Sequence, residues 1–436
     1  MTGIIMILIF IVMLFFNVPI MIALGVASVG YCLFLSNAPM DMVTNVYFTS
    51  MDSFTLIAIP FFILAGDLMM QGGISKRLIN LCRALVGGIG GALGAVTVVA
   101  SMIFAAIAGS GTATVACIGG ITIPEMVKEG YDKGYASALA ATAGALGPII
   151  PPSVAMILYG VACQVSITDL FIAGVVPGVM MAIALIALNK YLCKKHHWGL
   201  TKGQQAEGAG SVEIEVPPLK QAFKEGIWSL MVPVIILGGI YGGIVTPTEA
   251  AIIACDYAIL VSLFVYKEFK IRDIPKIIKH TVETTGTVML LVACASALGK
   301  LLTIEQIPTQ LANALVSISS NKIIILLIIN IFLLFVGMFM ETYAAIILLA
   351  PVLLPTALAI GVDPLHFGLI MVVNLTIGLC TPPVGVNLFI AARIADAPME
   401  KMFKWLLPCL AVLLIVLLLI TYIPQLTMFL PNLIGG

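Results

Sequence analysis

Gly147-Pro148-Ile149-Ile150-Pro151-Pro152-Ser153 interrupts an otherwise helical apolar run at 134–164, and Gly378-Leu379-Cys380-Thr381-Pro382-Pro383-Val384 interrupts a second at 366–394. Proline has no backbone donor and clashes with the preceding turn, so three within five residues break the first helix, and Pro382-Pro383 breaks the second. In lipid, a broken helix leaves carbonyl oxygens without partners, at a cost of several kcal/mol each unless protein, water or an ion satisfies them. A sodium ion suits a cage of carbonyls and hydroxyls. One such break can be a mere kink; two copies facing two hairpins point to a site.

The two interruptions belong to a longer correspondence. Pro124 and Pro355, Gly130 and Gly361, Asp132 and Asp363, Gly147 and Gly378, Pro151 and Pro382, and Pro152 and Pro383 all stand 231 positions apart. Upstream the offset drifts, to 233 for Gly66 and Gly299 and to 228 for Pro19 and Pro247, as small loop insertions would cause. The spans expected in the first copy are 4–16, 19–35, 55–71, 134–164 and 170–193; in the second they are 228–245, 249–266, 283–301, 366–394 and 405–423. Each copy crosses an odd number of times, so the second is inserted upside down.

The solvent is lipid: the 436 residues are 61% hydrophobic and 10% charged, with a mean hydropathy of +1.16. Balanced charge, with 21 basic and 21 acidic side chains, carries no nucleic-acid signature. The nine cysteines are scattered through apolar runs without CxxC spacing and read as small buried residues. The amino-terminal MTGIIMILIF lacks the features of a cleaved signal and reads as a retained span. The expectation is an all-α polytopic membrane protein with a first inverted repeat at 1–193, a cytoplasmic linker at 194–226 and a second repeat at 227–436. Apolar regions at 88–126 and 322–355 are drawn as re-entrant hairpins. With the amino terminus outside, all of the 21 Lys and Arg except Lys300 and Lys322 fall on the cytoplasmic side, Lys202 of the linker among them.

The hairpin tips carry the remaining chemistry. At Gly109-Ser110-Gly111-Thr112 the chain offers hydroxyls, exposed backbone and the start of a half-helix, whose free N–H groups and partial positive charge suit a carboxylate. Gly109, Gly111 and Thr112 are therefore candidate substrate contacts, joined from the second tip by Glu341 and Thr342. Glu341 is the acidic residue expected near the membrane middle, where an ionisable group is expensive and usually functional; a loop carboxylate reaching water is the alternative. Arg393 lies ten residues beyond Pro383, about 15 Å along a helix, and reads as a cytoplasmic anchor. The amphipathic segments Ser75 to Val86 and Pro308 to Ser320 read as interfacial braces, the first with Leu78, Leu81 and Leu85 opposite Lys76 and Arg83. Gly87, Gly88, Gly90, Gly91 and Gly94 permit close helix packing. His196 and His197 read as solvated, and four histidines without HExxH argue against a metallopeptidase or any transition-metal site.

At these residues the chain resembles the large membrane subunit of tripartite ATP-independent periplasmic (TRAP) transporters. The motifs are Ile59-Pro60-Phe61-Phe62-Ile63-Leu64-Ala65-Gly66, Gly109-Ser110-Gly111, Pro148 to Ser153, Thr246-Pro247-Thr248-Glu249-Ala250-Ala251 and Thr381-Pro382-Pro383-Val384-Gly385-Val386-Asn387-Leu388. The resemblance implies an elevator-type carrier in the bacterial inner membrane, driven by sodium, fed by a soluble periplasmic binding protein and partnered by a small membrane subunit. No such subunit precedes this chain, so a separate polypeptide is expected. Matching positions imply sodium sites at Ser110, Gly147, Ile150 and Pro152 in the first repeat and at Gly378, Thr381 and Pro383 in the second. Ala108 departs from relatives that carry serine there. The Glu341-Thr342-Tyr343 tip and Ala391-Ala392-Arg393 look similar to members importing acidic sugars such as sialic acid, with C4-dicarboxylates as the alternative substrate. An intramembrane enzyme would need a nucleophile and base or metal ligands in the membrane, and no such arrangement is legible; a channel would not need paired broken helices.

Overall fold

Prolines, glycines and caps decide where the helices begin and end. In the computed structural model, described for residues 2–16, 18–35, 39–86, 91–199, 218–319 and 321–434, every regular element is helical. Among the described residues eight helices are long and apolar enough to cross a membrane, and shorter apolar helices such as Ile20–Phe34 and Ala92–Ala108 lie between them. Gly87, Gly88, Gly90, Lys202, Ser320 and linker positions 200–217 lie outside the described residues.

The repeated Gly-x-Asp has a local cause. Gly130 (φ +86°) and Gly361 (φ +70°) turn the chain in the left-handed region, which only glycine enters without strain. The following aspartates then cap the next helix. Asp132 accepts from the Gly134 and Tyr135 N–H groups at 2.8 and 3.1 Å, starting Lys133–Gly144; Asp363 accepts from Leu365 and His366 at 2.8 and 3.3 Å, starting Pro364–Gly378. Both helices stop at the breaks and resume as Val154–Cys163 and Val386–Ala395. Ser153 caps the first resumption, accepting from the Met156 N–H at 3.2 Å while donating to the Pro148 carbonyl at 2.5 Å. Peptide bonds 151–152 and 382–383 are cis.

The first hairpin pairs Ala92–Ala108 with a run from Gly111 to Lys128 that contains one π turn. The second pairs Lys322–Phe339 with Thr342–Ala359. The brace Ile74–Val86 buries Leu78 and Leu81, but Leu85 is 62% exposed, and Arg83 faces protein. Its guanidinium holds Glu125 at 3.0 Å and Glu129 at 2.6 Å, clamping the brace to the end of the first hairpin. Burial pushes the Glu129 carboxyl above its ordinary value of 4.5 and Arg83 pulls it back. Arg83→Met is therefore expected to cost ~2 kcal/mol of stability. The loss grows as pH rises through the carboxylate range, because a raised pKa favours the fold only while the group stays protonated. Thermal unfolding of detergent-solubilised protein at two pH values measures it.

Three further features differ from expectation. Helices Met40–Met51 and Gln425–Ile434 were not anticipated, and the expected span 283–301 sits within a longer helix, Ile274–Ile304. Asp67, buried in Ala58–Gln71, is an acidic group inside an apolar helix; its Oδ2 lies 2.9 Å from His280 Nδ1 and accepts from the Thr281 hydroxyl at 2.9 Å. His196 is half-buried rather than free in a loop. Helix Ile167–His196 extends to it, the left-handed His197 turns the chain back, and the imidazole packs against Trp198 (4.9 Å) and Trp405 (5.0 Å).

Candidate functional site

The first hairpin tip and the first break meet through their backbones. A Cβ on Gly147 would lie 2.4 Å from the Ser110 carbonyl oxygen and 2.8 Å from the Gly111 nitrogen, so only glycine allows the approach. Gly109 sits at φ +58°, and a Cβ there would be 2.9 Å from the Pro152 carbonyl. Gly109, Ser110, Gly111, Gly147 and Pro152 thus share one small volume. Ile150 stands between Gly147 and Pro152 in the same segment, and its side chain packs on Gly178.

Carbonyl oxygens without backbone partners concentrate here. Among the described residues, the Gly147, Ile150 and Pro152 carbonyls accept no backbone hydrogen bond, whereas Gly144 and Leu146 do. The Ser110 carbonyl is engaged by the Thr114 N–H (3.1 Å) and hydroxyl (2.7 Å), while the Ser110 hydroxyl shares a hydrogen bond with that of Thr112 at 3.1 Å and keeps a lone pair to offer. Buried carbonyls without backbone donors, beside a hydroxyl oxygen, are the donor set a small hard cation requires.

The second break is built likewise. Gly378 packs against the hairpin limb at Gly337, where a Cβ would lie 2.6 Å from the Gly337 Cα, and the Gly385 N–H points at the Met338 carbonyl at 3.5 Å. Contact is therefore one turn before the tip. The Thr381 and Pro383 carbonyls accept no backbone bond among the described residues; the Gly378 carbonyl accepts from Thr381 at 2.8 Å, and the Thr381 hydroxyl donates to Ile377 at 2.9 Å. Glu341 and Pro383 are exposed. Thr342, 1% exposed, carries a hydroxyl with no partner at the start of its helix.

Three residues to which the sequence reading gave no role join the two halves. Asn387 is fully buried; its Nδ2 donates to the Ala141 carbonyl at 3.3 Å, and its Oδ1 has no partner. Its amide would lie 3.4 Å from a Cβ on Gly111 and 3.3 Å from one on Gly144. Cys380 Sγ donates to the same Ala141 carbonyl at 3.1 Å, and the Tyr343 hydroxyl lies 3.5 Å from the Gly109 carbonyl. The available signal was an asparagine directly after a proline break in an apolar helix.

Residues 7–426 match the family model for the tripartite ATP-independent periplasmic transporter, DctM component. The chain belongs to the DctM family. Relatives include the isethionate TRAP transporter permease protein DctMQ of Oleidesulfovibrio alaskensis, 46% identical over 95% of this chain and 64% of that protein, so the chain spans under two thirds of its length. They also include the C4-dicarboxylate large permease DctM of Rhodobacter capsulatus (37%, covering 96% of each chain) and the sialic acid large permease SiaM of Vibrio cholerae (38%, covering 97% of each). The fold is similar to the crystal structure of the Alcanivorax borkumensis YdaH transporter, at 17% identity and a TM-score of 0.57 over 88% of this chain and 87% of that one. This DctM-family chain is thus a large TRAP permease, a multi-pass protein of the bacterial inner membrane.

Proposed function

We propose that this chain carries a small organic anion into the cell by coupling it to sodium, as the main membrane part of a three-component system with a small membrane subunit and a periplasmic binding protein. The observation that carries the reading is the pair of proline breaks with partnerless carbonyls, set against the two hairpins. Sodium would be held by the carbonyls of Gly147, Ile150 and Pro152 with the Ser110 hydroxyl, and by the Gly378, Thr381 and Pro383 segment. The helix orders 92–163 and 322–395 correspond element for element, which supports an inverted repeat at 1–193 and 227–436, and an elevator in which the hairpins and broken helices move together.

The anion would lie at the tips. The N–H groups of Gly111, Thr112 and Ala113 open one helical run and those of Thr342, Tyr343 and Ala344 another, with the orphaned Thr342 hydroxyl beside the second. This donor set fits a carboxylate; an acidic sugar such as sialic acid is the first reading and a C4-dicarboxylate the second. The relative named for isethionate brings sulfonates into the same class. In proteoliposomes holding both membrane subunits and supplied with the binding protein, uptake is expected only under an inward sodium gradient; equal uptake under potassium overturns the reading. Ser110→Ala and Thr381→Ala are each expected to raise the sodium concentration for half-maximal uptake severalfold, about 1 kcal/mol, without lowering abundance in the membrane. A titration of initial rate against sodium measures it.

A further inference from the structure

A cavity of about 430 Å³ separates two groups of elements. One wall comes from Val154–Cys163 and Thr342–Ala359, contributing Leu158, Ile347 and Pro351; the other comes from Met40–Met51 with the turn after it and from Ile274–Ile304. Leu158 stands one turn from Val154, where the first broken helix resumes. Ile347 stands one turn, about 6 Å, from Tyr343 at the second tip. The cavity therefore leads along two elements, one of which begins at the first break and the other at the second hairpin tip.

Its polar groups are unusual for an apolar protein. Ser50, Ser53, Gln164, Ser296 and Thr303 line it together with Lys300, and no Asp or Glu does. Among the described residues the exposed Lys300 ammonium has no ion pair or hydrogen bond, as for most of the lysines, whereas Lys322 donates to the Gly361 carbonyl at 2.8 Å; what sets Lys300 apart is its place on this cavity. Lys300 is also one of two basic residues that the charge distribution assigns to the outer face, and Ser53 and Gln164 fall at outer ends of their spans on the same reading. Three positions assigned separately to one side of the membrane converge on one cavity.

We propose that this cavity is the outer capture site for the organic anion, with Lys300 as the residue that selects negative charge before the anion reaches the hairpin tips. The volume lies in the range that encloses small ligands. An unpaired ammonium at a cavity mouth with hydroxyl walls and no carboxylate attracts anions and repels cations, which separates the anion's path from the carbonyl cages that suit sodium. This inference rests on the transport reading above.

The test is uptake in proteoliposomes containing both membrane subunits and the binding protein. Lys300→Gln is expected to raise the apparent KM for the anion about tenfold, as loss of one charge-assisted contact would, with maximal rate, sodium half-saturation and thermal midpoint unchanged. Lys300→Arg restores most of the KM. In Lys300→Cys, aminoethyl methanethiosulfonate, which rebuilds a cation, is expected to recover uptake, and the negatively charged sulfonatoethyl reagent to depress it further, with treated wild type correcting for native cysteines. A Lys300→Gln protein with wild-type KM, or both reagents acting alike, overturns the capture site while sodium-driven uptake by the wild type stands. If the wild type shows no sodium-driven anion uptake, the transport reading itself fails.

Discussion

Gly147→Ala is expected to raise the sodium concentration for half-maximal uptake about a hundredfold, roughly 2.7 kcal/mol of lost binding, while the protein still reaches the membrane. The new methyl group would lie 2.4 Å from the Ser110 oxygen and 2.5 Å from its carbonyl carbon. Both are backbone atoms that cannot rotate away, so tip and break must separate by about an ångström, enough to open the proposed cation cage, whose ligands would tolerate only tenths of one. Gly378→Ala meets Gly337 backbone at 2.6 Å and is expected to behave alike at the second cage. Gly120 supplies the matched control: a Cβ there meets nothing within 4 Å, so Gly120→Ala should transport as wild type. Sodium titrations of the three variants at equal membrane abundance decide it, and a Gly147→Ala protein with unaltered sodium dependence would remove the close approach from the mechanism.

Asn387 gives the second large effect. Asn387→Ala removes a buried donor to the Ala141 carbonyl and the orphaned Oδ1 that lies beside Gly111. About 2 kcal/mol is at stake, or some thirtyfold in sodium half-saturation if the oxygen serves a cation. Asn387→Asp separates ligand from linker. It keeps the shape, loses the donor and adds negative charge, so a cation-facing oxygen should preserve or tighten sodium dependence, whereas a purely structural amide should leave both variants with the same lowered thermal midpoint.

The breaks and the caps were legible in the sequence because their physics is local. Proline removes a donor wherever it stands, and Gly130-Tyr131-Asp132 states a helix stop and the next helix start within three residues. The joining residues were not legible, because they act at a distance and have no counterpart in the other copy: 231 positions before Asn387 stands Met156, and before Tyr343 stands Thr112. The same limit misled the reading of His196, whose second aromatic neighbour, Trp405, belongs to the other half of the chain, and hid Asp67, whose partners are 213 and 214 residues away. Leu85 shows how far a stripe alone can go. The hydrophobic stripe grouped it with Leu78 and Leu81 opposite Lys76 and Arg83, yet only the first two are buried, and Arg83 engages Glu125 and Glu129.

The bonds from Cys380, Asn387 and Tyr343 back to Ala141 and Gly109 span 239, 246 and 234 residues. A ribosome adding about 5–20 residues per second needs tens of seconds to cover that interval. Throughout it the first broken helix has been synthesised without the side chains that later engage its carbonyls. Biogenesis of the nascent permease therefore contains a waiting period, during which the half-made centre must be kept wet or shielded by the insertion machinery. Stalling synthesis after residue 370 should leave an inserted but protease-sensitive intermediate, and release of the stalled chain should convert it to the resistant form.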